Sequence, residues 1–174
     1  VSKAPVVVPT PSVSFDGLSS QDNLTVFGTT FAPPDTVGDV GPNHYVQMTN
    51  TLVRIYNKAG TPLVAPFLLS SLTSVAGGPC ANTDDGDPIV NYDPLADRWI
   101  LSQFCVGPVP GHQVFAVSRT PDPTGQYFVY DFVHPTTDFQ DYPKVAVWPD
   151  GYYMSTNQFN QAGTAFTGAR AFAY

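Results

Sequence analysis

The sequence predicts an all-β fold built from propeller-like repeats of about 50 residues that form a partial, incomplete ring. An Asp-rich turn, a short apolar strand, a Pro-containing tight turn and an aromatic-rich strand recur together at residues 39–47, 87–104 and 141–159. The 18 prolines and 14 glycines interrupt the apolar stretches before a long helix can form. Aromatic residues make up 13% of the chain, which suits pleated, half-buried surfaces. Helices should therefore be few.

The last two repeats align closely. Residues 87–90 align with residues 142–145, Pro94 with Pro149, and Trp99 with Tyr153. A single small sheet cannot bury both of its faces, so the repeats must stack on one another. Propellers carry about four to eight blades, whereas 174 residues at this spacing form about three. We therefore expect residues 15–174 to be a truncated propeller-like domain, with a sandwich as the alternative.

Runs of β-branched and aromatic residues bounded by turn residues predict the strands. These lie near residues 26–31, 45–49, 52–57, 89–92, 99–104, 113–118, 127–132, 144–147, 152–158 and 169–173. The connections at residues 57–60, 121–125 and 148–151 carry Gly, Pro and Asp, which favour hairpins over crossovers. Residues 68–75 are expected to form a short helix or an irregular turn.

Residues 1–14 differ in composition from the rest of the chain, because they are rich in Val and contain three prolines. Proline removes backbone donors and favours extended conformations, so the segment is expected to be a linker or an edge strand. Its valines Val6, Val7 and Val8 could add to the exposed sheet edge of a neighbouring copy. Nearby, Asn23 begins an Asn-Leu-Thr sequon and is a glycosylation candidate.

The charge balance excludes some partners. A formal net charge of −7 with only seven basic residues argues against nucleic acid, which requires clustered Lys and Arg. No apolar run has the length of a membrane span. The composition suits a secreted or cell-surface protein, or one that collects divalent cations.

The two cysteines, Cys80 and Cys105, flank the second repeat. We expect a disulfide between them, stabilising the fold by about 3 kcal/mol through loop closure, with two buried free thiols as the alternative. Neither cysteine lies in a CxxC pair or beside a His, so nothing predicts a catalytic or metal-binding thiol. A disulfide would place the protein in an oxidising compartment.

Three motifs together resemble a group of secreted bacterial proteins of unassigned function. They are residues 33–36 with 38–47, residues 85–90 with 92–93 and 96–99, and residues 141–144 with 148–153. The resemblance covers most of the chain from about Phe15 onward and implies a secreted β-propeller-like module. It implies no reaction. Members of the group are longer than this chain, which implies that ring closure needs additional polypeptide.

The strongest chemical signal is the acidic loop at residues 82–87. Asn82, Asp84, Asp85 and Asp87 place oxygen ligands in a Gly-containing turn, as calcium requires. The pattern lacks the distal Glu of an EF-hand. The alternative is that these side chains cap turns by accepting backbone N–H bonds. Related places in the other repeats hold Asp35, Asp39, Asp138 and Asp141.

Two functions remain open from the sequence. The first is a non-enzymatic extracellular binding or structural module, which could self-assemble or bind the remainder of a longer precursor, cations or glycans. The second is a secreted glycan-directed hydrolase, in which carboxylates such as Asp85 and Asp141 meet in a central pocket. His44, His112 and His134 show no metal-ligand spacing. The first function is favoured, because no convergent catalytic constellation is visible.

Overall fold

The computed structural model describes residues 8–75 and 77–174, and this part of the chain is predominantly β. Strands account for 43% and helices for 7% of it. Each strand pairs with its neighbours in an antiparallel ladder, and the strands form three separate sheets. The predicted all-β class with few helices is confirmed.

The first sheet (sheet 1) contains β1 (Val37–Val40), β2 (His44–Met48), β3 (Leu52–Asn57) and β4 (Phe67–Leu68), paired in chain order. β3 has the bounds that the sequence predicts. The turn after β3 closes when the Gly60 N–H donates to the carbonyl of Asn57 at 3.0 Å. Gly60 has φ of +84°, a conformation that glycine adopts without steric cost.

The second sheet (sheet 2) contains β5 (Ile89–Asp93), β6 (Arg98–Cys105), β7 (His112–Ser118) and β8 (Tyr127–Val133), again in chain order. The third sheet (sheet 3) contains β9 (Phe139–Trp148), β10 (Gly151–Phe159) and β11 (Phe166–Ala173). In this sheet β10 lies between the other two strands. Each sheet is thus an antiparallel meander, as the hairpin turns predict.

Sheet 2 packs against sheet 1 on one face and against sheet 3 on the other. Alternate residues of β6 point in opposite directions, so Trp99 and Leu101 join the core shared with sheet 1 while Ile100 joins the core shared with sheet 3. Met48 and Ile55 of sheet 1 belong to the first core. The second core contains Phe115 and Met154. Stacking buries these apolar faces, and each Å² of apolar surface removed from water stabilises the fold by roughly 25 cal/mol.

The first strands of the three sheets lie beside one another, with β5 in contact with both β1 and β9. Carboxylates bridge the sheets at these contacts. Asp39 of β1 accepts the backbone N–H of Tyr92 in β5 at 2.8 Å. Asp93 at the end of β5 accepts the Tyr152 hydroxyl of β10 at 2.9 Å. Neighbouring sheets are therefore joined by polar side chains as well as by apolar packing.

One strand prediction is wrong. Residues 26–31 are predicted to form a strand, but residues 26 and 27 are the last two of helix α1 (Ser20–Phe27), and residues 28–31 form neither helix nor strand. The Asp22 carboxylate accepts the backbone N–H of Ser19 at 2.8 Å, which caps the first turn of the helix. Gly28 ends the helix with φ of +80°. A short second helix, α2 (Ser70–Thr73), lies where the sequence predicts a helix or an irregular turn.

The chain before β1 covers the outer face of sheet 1. Phe15 packs between Tyr45 and Tyr56, with ring centroids 6.0 and 5.1 Å away. Asp22 of α1 pairs with Arg54 of β3 at 3.3 Å. Residues 8–14 form no helix or strand and are exposed, and the earlier part of the predicted linker or edge strand, residues 1–7, lies outside the described residues. Among the described residues, no helix has the length and apolar character needed to span a membrane.

Candidate functional site

Three residues occupy similar places near the starts of β1, β5 and β9, the first strands of the three sheets, which we call the inner strands. Asp35 and Asp87 lie two residues before β1 and β5, and Tyr142 lies at the same distance before Lys144 in β9. Their φ angles are +42°, +46° and +53°, which non-glycine residues seldom adopt. Each is followed seven residues later by a proline, namely Pro42, Pro94 and Pro149. The three sheets therefore share this local backbone geometry.

A chain of hydrogen bonds links these positions across the three sheets. The side-chain amide of Asn50 donates to the Asp35 carboxylate. The Asn50 Oδ1 accepts the backbone N–H of Asp87 at 3.0 Å. The Asp87 Oδ2 in turn accepts the backbone N–H of Tyr142 at 2.9 Å. The backbone at Asp87 is therefore held by a side chain of sheet 1, and the backbone at Tyr142 by the side chain of Asp87, which leads into sheet 2.

Three carboxylates meet at this point, from Asp35, Asp87 and Asp141. The pKa of Asp87 is raised to about 6, chiefly by burial and further by the nearby Asp141 and Asp35 carboxylates, while the hydrogen bond from the Tyr142 N–H opposes the rise. The carboxyl groups of Asp87 and Asp141 lie close enough to share a hydrogen bond. Burial and like charge together favour retaining a proton on Asp87.

A cavity of about 220 Å³ opens beside this carboxylate cluster. Its walls include Asp35, Asp87, the two prolines Pro88 and Pro143, and Lys144. The Lys144 ammonium lies 3.5 Å from the centroid of the Tyr142 ring and donates to the Pro143 carbonyl at 3.1 Å. The cavity is therefore polar and large enough for several water molecules or a small ligand.

The side chains of the predicted calcium loop contact different parts of the fold. Asp84 accepts the backbone N–H of Ser70 at 2.9 Å, and Asp85 accepts that of Val106 at 2.7 Å. Asp87 turns instead into the carboxylate cluster, and Asn82 is exposed. These contacts favour the capping alternative for Asp84 and Asp85. The residue that meets Asp141 is Asp87, whereas the sequence suggested Asp85.

Calcium binding by Asn82, Asp84, Asp85 and Asp87 stays a prediction. A cation bound only to the folded state should raise the melting temperature, and a chelator should then lower it. Asp85→Ala should abolish that sensitivity. A melting temperature that is the same with and without chelator would leave the loop as a capped turn.

The Cys80–Cys105 disulfide is present, as predicted, with the two Cα atoms 5.9 Å apart. It lies beside a histidine pair that the sequence did not indicate. His112 Nδ1 lies 2.5 Å from the Asp131 carboxylate. The pKa of His134 is lowered to about 4, first by burial and then by the neighbouring His112. The antiparallel register of β7 and β8, which pairs His112 with Val133, brings His134 close. Cys80 Sγ, His112 and Asp131 have ligand atoms within 4.8 Å, but a disulfide sulfur cannot act as a thiolate ligand.

The Asn23 sequon lies inside helix α1. Its side chain is only 4% exposed, and its Nδ2 atom donates to the Asn50 carbonyl at 2.7 Å. A glycan would have to be attached to that nitrogen. In the folded chain this nitrogen is bonded to the Asn50 carbonyl, and glycosylation of Asn23 stays a prediction.

No protein-family model, curated protein or solved structure matches the chain.

Proposed function

We propose that the protein is a non-enzymatic extracellular binding or structural module of the β-propeller type, in which sheets 1, 2 and 3 are consecutive blades. Three antiparallel meanders stack face to face, and their first strands lie together. This order of strands, from an axis outward, is typical of propeller blades. The disulfide supports a secreted or cell-surface location.

The observation that carries the proposal is that carboxylates near the inner strands form hydrogen bonds between the sheets. Asp39 and Asp87 each accept a backbone N–H from the next sheet, and Asp93 accepts a hydroxyl from the next sheet. A carboxylate that holds a neighbouring strand is fixed in place and already bonded. These side chains therefore support architecture, which is expected of a structural module.

The alternative of a secreted glycoside hydrolase is less well supported. Such enzymes separate their two carboxyl groups by about 5 Å when they retain configuration and by about 6.5–9.5 Å when they invert it. Asp87 and Asp141 are close enough to share a hydrogen bond. A pair of carboxyl groups this close together matches neither separation.

The partner in this proposal is further β structure. Sheet 2 is covered on both faces, whereas within the described ranges the outer face of sheet 3 is covered by no other sheet. An uncovered sheet face and an unpaired edge favour association with other polypeptide. We propose that copies of the chain, or the remainder of a longer precursor, provide it.

The proposal is tested by measuring assembly and hydrolysis on the same preparation. Sedimentation or native mass spectrometry should show species heavier than the 18.7 kDa chain. Incubation with a panel of polysaccharides should release no reducing sugar. Sugar release that Asp87→Asn and Asp141→Asn both abolish would overturn the proposal in favour of the hydrolase.

A further inference from the structure

The face of sheet 2 that carries the disulfide also carries a histidine and a carboxylate. Cys105 ends β6 and lies opposite His112 at the start of β7. Asp131 of β8 lies opposite Val114, two residues after His112 in β7. Residues opposite each other in an antiparallel pair, and residues two apart in one strand, project from the same face. The strand register therefore places Cys105, His112 and Asp131 on one face, on three adjacent strands.

The loop before β5 adds a fourth member to this group. Cys80 lies in that loop, and its bond to Cys105 holds it against the same face. The ligand atoms of Cys80, His112 and Asp131 all lie within 4.8 Å of one another. We call Cys80, Cys105, His112 and Asp131 the Cys–His–Asp cluster. Two sulfur atoms, an imidazole and a carboxylate thus converge from four segments of the chain.

These donor types and their spacing suit a zinc ion. Proteins bind zinc in tetrahedral sites through Cys sulfur, His nitrogen and Asp oxygen, at about 2.0–2.3 Å. Ligand atoms at those distances are about 3.3–3.8 Å apart, which a small movement of the cluster side chains provides. The contact between His112 Nδ1 and the Asp131 carboxylate is 2.5 Å long. It would open by about 1 Å as the ion replaces the proton between the two groups.

The cluster is buried on its sulfur side and accessible on its carboxylate side. Cys80 and Cys105 are 2% and 1% exposed, and Val114 and Val129 pack against them. An apolar surrounding of this kind limits the access of water to a metal. The Asp131 side chain is 27% exposed, so an ion can enter past it.

The loop that carries Cys80 is also held by bonds that do not involve the disulfide. The Thr73 hydroxyl lies within hydrogen-bond distance of the Cys80 carbonyl, at 3.3 Å. The side-chain amide of Gln103 in β6 donates to the Thr83 carbonyl at 2.8 Å. These bonds remain when the sulfur–sulfur bond is broken. Reduction therefore leaves two thiols beside His112, and only side-chain movement is needed to bring them onto one ion.

We propose that the reduced chain binds one zinc ion at the Cys–His–Asp cluster, with all four residues as ligands. The disulfide and the zinc site are alternatives, because a metal ligand must be a thiolate. The disulfide ties the loop before β5 to β6 alone, whereas the zinc ion ties that loop to β6, β7 and β8. The zinc site belongs to the chain before its disulfide closes, or after a reductant opens it.

The conversion is a two-electron reduction followed by metal binding. A dithiol reductant supplies two electrons and two protons to the sulfur atoms and becomes a disulfide itself. Zinc then binds both sulfur atoms as thiolates, and their two protons pass to water, as does the proton between His112 and Asp131. In the test a phosphine replaces the dithiol, because it offers no thiolate that competes for zinc. Its phosphorus takes the oxygen of a water molecule, whose two protons pass to the sulfur atoms.

The dependence on reduction is tested on the full chain. Protein reduced with a water-soluble phosphine should retain one more zinc ion per chain after gel filtration than protein with its disulfide intact. Cobalt(II) should give sulfur-to-cobalt charge-transfer absorption in the reduced chain only. Zinc should raise the melting temperature of the reduced chain and leave that of Cys80→Ala with Cys105→Ala unchanged. A reduced chain that retains no additional zinc, or that binds cobalt without sulfur absorption, would show that the inference is wrong.

The ligands are tested with a matched pair of histidine variants. His112→Gln removes the imidazole of the cluster, whereas His44→Gln removes one that lies 3.9 Å from the Asp122 carboxylate elsewhere. Only His112→Gln should weaken zinc binding by the reduced chain, on the order of tenfold or more. Competition with a coloured chelator measures the affinity.

Asp131→Asn provides the same test if His112→Gln does not fold. Its amide oxygen still accepts a hydrogen bond from His112, but the charge that would bind zinc is lost. The affinity should again fall on the order of tenfold or more. Zinc affinity equal to that of the reduced wild type in the folded variants would mean that the ion binds elsewhere, and would overturn the inference.

Discussion

Sheets 2 and 3 are both antiparallel meanders, but their strands are buried to different extents. Nearly every residue of β6 and β7 is buried, whereas β9 and β11 alternate between covered and exposed residues. The difference follows from position, because sheet 2 has a neighbour on each face. A strand covered on both faces shows continuous apolar burial, and a strand covered on one face alternates. Stacking order therefore determines which substitutions are costly.

We expect the largest loss of stability at Trp99, which we compare with Tyr152 at the equivalent place in sheet 3. Trp99 is 0% exposed, so Trp99→Ala should lower the free energy of unfolding by about 3–5 kcal/mol. Tyr152 is partly exposed and bonds Asp93, so Tyr152→Ala should cost about 1–2 kcal/mol. Urea unfolding measures both.

Trp99→Phe is the control for ring volume. The Trp99 Nε1 atom has no hydrogen-bond partner among the described residues, so the phenyl ring loses no bond and should cost less than the alanine substitution. Equal losses for Trp99→Ala and Tyr152→Ala would contradict the idea that coverage on both faces makes sheet 2 the more sensitive sheet.

The second prediction concerns the disulfide that ties the loop before β5 to the end of β6. The two cysteines are 25 residues apart, so removing the bridge should cost about 3 kcal/mol by loop closure. Cys80→Ala with Cys105→Ala, and reduction of the wild type, should lower the urea midpoint by similar amounts. Unreduced, denatured protein should show no reactive thiol. A midpoint that does not change on reduction would show that packing alone holds sheet 2.

The sequence predicts strands with regular apolar patterns well, and it predicts β1 and the helix α1 poorly. β3 matches its predicted bounds because it is an apolar run closed by a glycine turn. β1 was not predicted, since Gly38 and Asp39 lower its strand propensity and its position depends on the bond from Tyr92. Residues 26–31 were predicted as a strand because Val26 and Phe27 favour strands, but the capping residues of α1 prevail.

The alignment of the repeats also contains a slip of one residue. The sequence pairs Trp99 with Tyr153, but the register pairs Trp99 with Tyr92 and Tyr152 with Val147. The two hairpins have turns of different length, and a shift of one residue moves a side chain to the other face of a sheet. Turn length depends on local backbone geometry, so pattern matching did not reveal it.

The candidate site could be predicted only in part. Asp35, Asp87 and Asp141 were recognised as related places in the repeat. Asp84 and Asp85 cap other segments, whereas Asp87 turns toward the other two carboxylates. This orientation depends on the left-handed backbone of Asp87 and on its bond to Asn50, which belongs to another sheet. Contacts between sheets of this kind have no signature in a single sequence.

The smallest expected effect lies where the three sheets meet, at Asp87. Its pKa is raised from 3.8 to about 6, so the folded state binds the proton more tightly than the unfolded state. The contribution of this group to stability is greatest below pH 3.8 and is lost as the pH rises through about 6. The rise corresponds to about 3 kcal/mol before screening, and because Asp87 is half-exposed we expect about 1 kcal/mol.

Asp87→Asn should therefore raise the free energy of unfolding by about 1 kcal/mol at pH 8 and change it little at pH 3.5. The amide oxygen still accepts the Tyr142 N–H, so the contact between sheets 2 and 3 is kept. Asp16→Asn, at an exposed position outside the cluster, is the matched control and should show no such pH dependence. Thermal or urea unfolding at the two pH values measures the difference. A loss of stability at pH 8 would mean that the carboxylate charge strengthens the contacts between the inner strands, and that the inner ends of the sheets are held together by a bound cation or by Lys144.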